Sequence, residues 1–164
     1  MELTSMTPTS LQRFLFVFFL LYSSNSFAEI NEQKKAQLDL AIKQQPNNTE
    51  YRMRRAQFLF DNNQHQAAVD DYNYIIKSNK NFYPAYFGRG MALGRLGEIQ
   101  AGIDDISVFI QHNPTSSLAY TKRGVRYLWL GEMDNAQKDF LKAIAINPKN
   151  AEAHDDIGVI YAQK

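Results

Sequence analysis

Cysteine is absent from the 164 residues, and this single absence removes several classes of function. A chain without thiols has no disulfide, no thiolate metal site and no cysteine nucleophile. It also lacks the residue that carries the lipid of a bacterial lipoprotein. The folded chain must therefore be stabilised by side-chain packing, for which a hydrophobic content of 45% is sufficient.

The chain also has almost no net charge and no long flexible segment. Eighteen Lys and Arg balance seventeen Asp and Glu, which leaves a net charge of +1. Nucleic-acid-binding domains usually carry a strongly basic face, so these totals do not indicate a nucleic-acid partner. The five Pro and eight Gly form no low-complexity stretch and give no sign of a long linker. We therefore expect one domain or a short array of repeats.

One long apolar run stands near the N-terminus. Arg13 precedes the run Phe14–Tyr22, and the small residues Ser26 and Ala28 follow it. This order is typical of a secretory signal peptide that is cut after Ala28. The alternative is an uncleaved membrane anchor, but the run is shorter than the roughly 20 apolar residues that a transmembrane helix needs. We expect a mature chain of 164 − 28 = 136 residues, exported to the bacterial periplasm or, as the alternative, secreted.

The remaining sequence repeats with a period of 34 residues. Three complete units cover residues 49–82, 83–116 and 117–150, and a partial unit covers residues 151–164. Small residues recur at the eighth position (Ala56, Gly90, Gly124, Gly158) and the twentieth (Ala68, Gly102, Ala136), and bulky apolar ones at the twenty-fourth (Tyr72, Ile106, Phe140). Two packed antiparallel helices need such an alternation of small and large residues where they cross. The pattern predicts helical hairpins.

The period, these positions and the prolines Pro114 and Pro148 at position thirty-two resemble the tetratricopeptide repeat. The resemblance implies an all-α fold, an α-solenoid of helix–turn–helix units in a right-handed superhelix. The first unit departs from the family pattern twice, because Lys80 replaces the usual proline and Asn63 the usual turn glycine.

Two shorter segments flank the complete units. Residues 29–48 contain Pro46 at the same repeat position and are interpreted as a leading half-repeat helix. Residues 151–164 are interpreted as a C-terminal capping helix, the first half of a fourth unit. Each repeat buries its apolar face only against a neighbour, so both ends of the array need such cover.

One arginine and one aspartate recur in every complete unit. The arginines are at position seven and the aspartates at position twenty-three: Arg55, Arg89, Arg123, Asp71, Asp105 and Asp139. A guanidinium can bind a carboxylate of a facing helix through two parallel hydrogen bonds, so we interpret these residues as structural ion pairs. The sequence leaves open whether each arginine binds the aspartate of its own unit or of the preceding one.

The resemblance also implies that the first helix of each unit lines a concave groove that binds a partner. Its groove positions carry Met53, Gln57, Phe60, Phe87, Met91, Arg95, Lys122, Val125, Leu128, Trp129 and Val159 in this chain. Aromatic and methionine side chains are the expected anchors, and Arg95 and Lys122 the groups that would orient a carboxylate. For Val125, Leu128 and Trp129 the alternative is packing between successive helices.

One partner class of the family is disfavoured. The groove that clamps the acidic C-terminus of chaperones uses Lys and Asn at positions five and nine of its first unit and Asn at position six of the second. This chain has Met53, Gln57 and Gly88 there. We therefore expect a peptide or helix of another protein as the partner, in a scaffold that could belong to a cell-envelope assembly.

No enzyme site can be assembled from the sequence. The doublets at 70–71, 104–105 and 155–156 are adjacent aspartates, whose side chains point about 100° apart on a helix and cannot share a substrate. His65, His112 and His154 lie far apart and make no zinc motif. We expect no catalysis, no cofactor, no metal and no membrane contact beyond the signal segment. A structural homo-oligomer joined through its end helices is the alternative function.

Overall fold

The computed structural model describes residues 29–163, which form eight helices and no strand, so the predicted all-α class is confirmed. The chain divides into two units after Gln45. The first contains α1, over residues 29–44. The second contains α2 (Thr49–Asp61), α3 (His65–Ser78), α4 (Tyr83–Arg95), α5 (Ile99–His112), α6 (Ser117–Trp129), α7 (Met133–Ile146) and α8 (Ala151–Gln163). The predicted signal peptide lies outside the described residues. Within residues 29–163, no helix has the length and apolar character needed to span a bilayer.

The first helices of the units begin at equivalent residues because their N-termini are capped in similar ways. Asn48, Ser116 and Asn150 each accept a hydrogen bond from a backbone N–H of the first turn that follows, at 3.1 to 3.3 Å. Such a cap satisfies a donor that has no partner inside the helix. The helix α4 has Pro84 in its first turn instead, where the missing N–H costs nothing.

Each hairpin turn contains one residue in the left-handed region of the backbone map. Gly97 has a φ of 86° and Gly131 a φ of 76°, and Asn63 takes the equivalent place in the first hairpin with a φ of 59°. Asparagine tolerates this conformation better than most residues with a side chain. Replacing the usual glycine therefore leaves the geometry of the first turn unchanged.

The helices of each hairpin cross at the predicted small residues. A Cβ atom on Gly90 would lie 2.8 Å from the carbonyl oxygen of Gly102, and one on Gly124 would lie 2.7 Å from the ring of Phe140. The bulky residues Tyr72, Ile106 and Phe140 are almost completely buried beside these crossings. The periodic small and large positions thus form the core of the solenoid.

Contacts between non-adjacent helices show which side of the second unit is the inner one. The first helices touch one another in the series α2–α4, α4–α6 and α6–α8, whereas the described second helices make no comparable contacts. An array in which the first helices lie closer to one another than the second helices do curves toward the side of the first helices. The first helices therefore line the concave surface of residues 46–163.

Candidate partner-binding surface

The recurrent arginines and aspartates form bidentate ion pairs within each unit. Arg55 binds Asp71 at 2.6 and 2.7 Å, and Arg89 binds Asp105 at the same two distances. The structure thereby settles the pairing that the sequence left open. Each aspartate is buried and each guanidinium is largely covered, which agrees with a role in the fold.

The last of these pairs also links consecutive units. Arg123 binds both oxygens of Asp139 at 2.8 Å, and its third nitrogen donates to the hydroxyl of Ser107 in the preceding unit at 2.9 Å. The hydrogen bond to Asp139 raises the pKa of Arg123 and outweighs the opposing effect of burial. These charges are engaged inside the array and are not presented to a partner.

A stripe of four residues runs along the concave side of α6. Leu118, Lys122, Val125 and Trp129 are separated by four, three and four residues, which places them on one helical face. Leu118 is 52% exposed and Trp129 is 50% exposed. Leu118 was missed by the sequence prediction, although it occupies position two of its unit, a groove position.

The other predicted groove residues divide into packed and exposed ones. Met53 and Phe60 pack against the core of the first hairpin, Phe87 and Met91 against that of the second, and Val125 and Leu128 against that of the third. Gln57, Arg95 and Val159 are exposed, and the amide of Gln57 donates to Asp61 at 2.8 Å. The apolar floor is therefore largely part of the core, and Leu118, Trp129 and Val159 are its exposed apolar members.

Lys122 is already paired with an acidic residue of the chain. Its Nζ atom donates to both carboxylate oxygens of Glu152 in α8, at 2.5 and 2.7 Å. Asp156 lies on the same helix, and burial, followed by the nearby Glu152, raises its carboxyl pKa. A partner carboxylate would have to compete with Glu152 for Lys122, which favours Arg95 for that task.

Arg126 is a feature that the sequence prediction missed. It is 2% exposed and donates to the carbonyl oxygens of Lys122 at 2.7 Å and of Met91 at 3.2 Å. No carboxylate of residues 29–163 forms an ion pair with it, and its Nε atom has no acceptor there. Burial, followed by the like charge of Arg95, lowers the pKa of Arg126 to about 10.

A glycine makes room for this buried guanidinium. A Cβ atom on Gly94 would lie 2.7 Å from Nε of Arg126 and 2.8 Å from one of its terminal nitrogens. Arg126 therefore ties α6 to α4 at a point where a larger residue in α4 would have to displace the guanidinium. The combination of Gly94 at position twelve and an arginine at position ten of the next unit was the available signal in the sequence.

Trp129 stands over this arginine. The guanidinium carbon of Arg126 lies 5.7 Å from the centroid of the indole ring, a distance at which a cation and an aromatic face attract. The indole is thus held from behind while half of its surface faces solvent. The site offers a large apolar anchor that rests on a buried guanidinium.

The carboxylates and imidazoles of the described residues are not gathered into a metal-binding cluster. Among the side chains of residues 29–163, no three His, Asp or Glu residues converge as ion ligands would. The buried carboxylates of Asp71, Asp105 and Asp139 are each engaged by an arginine.

One stretch of the chain matches a protein-family model. Residues 118–150 match the tetratricopeptide repeat. This match spans the third unit, and the other two complete units share its crossings, turns and ion pairs. The chain is folded as a tetratricopeptide-repeat solenoid. No curated protein sequence is significantly similar to the chain.

Solved structures of tetratricopeptide solenoids are similar in fold to two thirds or more of the chain. The crystal structure of MamA is 25% identical, covering 85% of this chain and 82% of MamA with a TM-score of 0.77. The first such domain of Spaghetti (RPAP3), bound to the HSP90 peptide SRMEEVD, is 20% identical over 70% of this chain and 91% of its own, with a TM-score of 0.67. The second domain of human RPAP3, in complex with an HSP70 peptide, is 21% identical over 67% of this chain and 92% of its own, with a TM-score of 0.64. At the identities of the RPAP3 domains, the likeness is one of fold alone.

Proposed function

We propose that this protein is an exported, non-enzymatic interaction module that binds a segment of another protein on the concave side of its solenoid. The observation that carries the proposal is the setting of Trp129, which is half exposed in the row of first helices and supported by Arg126. A rigid aromatic side chain desolvates a large area with little loss of rotamer entropy, and tryptophan is enriched among residues that dominate binding energy.

The surface favours a partner segment that is apolar at its centre. Leu118 and Trp129 lie about 11 residues × 1.5 Å, roughly 16 Å, apart along α6, which suits several side chains of an extended or helical segment. Between them, Lys122 is occupied by Glu152. The acidic peptides bound by the RPAP3 domains are therefore poor templates for this groove, and the positive charge available to a partner is that of Arg95.

Export rests on the sequence pattern of residues 1–28. The apolar run and the small residues at 26 and 28 support a cleaved signal, and the complete lack of cysteine is compatible with an oxidising compartment. An exported scaffold of this kind suits a subunit of a cell-envelope assembly.

A crosslinking pull-down tests the proposal. The gene encoding all 164 residues, with a C-terminal tag, is expressed in the source cells, and complexes are crosslinked before extraction. We expect one discrete partner from the wild-type chain and at least a tenfold lower yield from Trp129→Ala. Leu141→Ala serves as the matched control, because Leu141 is 47% exposed but lies on the second helix α7.

The proposal is wrong if Trp129→Ala retains the partner while its thermal unfolding matches that of the wild type. A copy of the same chain as the only crosslinked species would instead establish the homo-oligomeric alternative.

A further inference from the structure

A cavity of about 460 Å³ lies between the second helices α3 and α5, away from the concave groove. Val69 of α3, Leu93 of α4 and Ala101 of α5 supply its apolar lining. Val69 and Leu93 are buried, so they form the floor of the cavity. Sites for small molecules have volumes of roughly 300 to 1,000 Å³ and are lined largely by apolar side chains. The cavity is therefore large enough for a small organic ligand.

The charged lining of this cavity is acidic. It consists of Arg89 and the carboxylates of Glu98, Asp104 and Asp105, a net charge of −2. Asp105 accepts hydrogen bonds from two nitrogens of Arg89 at 2.6 and 2.7 Å, and the third nitrogen donates to Asn73 at 2.7 Å. No lysine or arginine of residues 29–163 forms an ion pair with Glu98 or Asp104, and both are exposed. Two negative charges thus remain available at the rim.

The next gap of the array, between α5 and α7, has the same kind of ion pair but a different lining. Each apolar residue has a larger counterpart there: Ile103 for Val69, Tyr127 for Leu93 and Asn135 for Ala101. Lys138 takes the place of Asp104, so the charges at the equivalent positions sum to zero. The open floor and the negative charge are therefore specific to the gap between α3 and α5 and do not follow from the repeat itself.

We propose that this cavity is a second binding site, separate from the concave groove, and that it binds an aliphatic diamine. The methylene chain lies over Val69 and Ala101, and the two ammonium groups donate charge-assisted hydrogen bonds to Glu98 and Asp104. These two residues are separated by roughly 9 Å along the axis of α5, a span that suits a six-carbon diamine. A dication offsets the whole net charge of the lining, whereas one lysine side chain of a partner protein would leave a carboxylate unpaired.

Isothermal titration calorimetry at low ionic strength tests this assignment with 1,6-diaminohexane. The protein is the chain purified after expression of the full-length gene. We expect saturable binding at one site. 1-Aminohexane should bind at least tenfold more weakly because it lacks the second ammonium group, and the neutral 1,6-hexanediol should give no measurable binding.

Three variants locate the site. Asp104→Lys should weaken the binding of 1,6-diaminohexane at least tenfold without lowering Tm, because α7 carries a lysine at the same repeat position. Ala101→Asn copies the larger residue of the next gap and keeps both carboxylates, and it should weaken binding at least fivefold. Asp155→Lys is the matched control, because it makes the same change of charge at an exposed site on α8. It should leave the affinity within twofold of the wild type.

Equal weakening by Asp104→Lys and Asp155→Lys would reveal unspecific attraction to acidic groups and overturn the site. Undiminished binding to Ala101→Asn, or no binding of 1,6-diaminohexane to the wild type, would overturn it as well. If the capped peptide acetyl-Gly-Lys-Gly-amide binds as tightly as the diamine, the cavity takes a lysine side chain of another protein and the diamine assignment is wrong. Trp129→Ala should leave the titration unchanged, so failure of the groove proposal does not affect the result.

Discussion

At the scale of single residues, the charged groups of this solenoid have unequal importance. The Arg123–Asp139 pair is held by two hydrogen bonds with 18% and 7% of the side chains exposed, whereas the Arg54–Glu50 pair is 64% and 58% exposed. Removing one partner of a buried pair leaves the other charge without compensation, and exposed pairs are screened by water. The two pairs therefore form a matched comparison.

We expect Asp139→Ala to lower the free energy of unfolding by about 3 kcal/mol. The exposed counterpart, Glu50→Ala, should change it by less than about 0.5 kcal/mol. Urea unfolding followed by circular dichroism measures both values. Equal losses in the two variants would contradict a structural role of the recurrent pairs.

Asp156 gives a pH-dependent prediction. Burial raises its folded pKa above the ordinary value of 3.8, so the folded chain holds the proton more tightly than the unfolded chain does. The ionised carboxylate consequently lowers stability as pH rises above 3.8, and this cost is absent at lower pH. Asp156→Asn should raise Tm by about 2 °C at pH 7 and give no increase at pH 3. A Tm gain of the same size at both pH values would show that ionisation is not the cause.

At the scale of helices, the sequence predicts where two helices cross better than it predicts how deeply a side chain is buried. Steric exclusion at the crossing makes Gly90 and Gly124 periodic, so hairpins and their core could be read directly from the spacing. The burial of a side chain depends on the helices around it. Phe87 and Met91 were therefore predicted as groove residues, although they also pack against the core. Arg126 was not predicted because its partners are backbone carbonyls, so its sequence signal is confined to Gly94 and the arginine at position ten of the next unit.

Replacing two glycines at the same repeat position by alanine should change the free energy of unfolding in opposite directions. In Gly90→Ala the new methyl group meets the Gly102 carbonyl at 2.8 Å, and a backbone atom in a packed crossing cannot move aside cheaply. We expect a loss of about 2 kcal/mol despite the better helix propensity of alanine. A Cβ atom on Gly158 meets no heavy atom within 4 Å outside its own helix and chain neighbours, so in Gly158→Ala only the propensity gain of about 0.5 to 1 kcal/mol remains. Thermal and urea unfolding of both variants measure the difference, and destabilisation by Gly158→Ala would show that α8 packs differently from the description above.

At the scale of the whole molecule, the proposals of export and of partner binding are tested by separate experiments. The signal pattern predicts that the mature protein begins at Glu29. Intact mass spectrometry of the protein recovered from the source cells should show 136 residues, and Ala28→Phe should block processing because the peptidase pocket admits only small side chains. A wild-type mass that includes residues 1–28 would favour the membrane-anchored alternative.

Site-specific photocrosslinking tests whether the concave side around Trp129 binds another protein. A benzophenone amino acid is placed at position 129 and, as the control, at position 141 on α7. We expect a discrete adduct of one partner protein from position 129 and none of that species from position 141. Equal adducts from both positions, or none from position 129 in cells that yield the crosslinked complex with the wild-type chain, would contradict it.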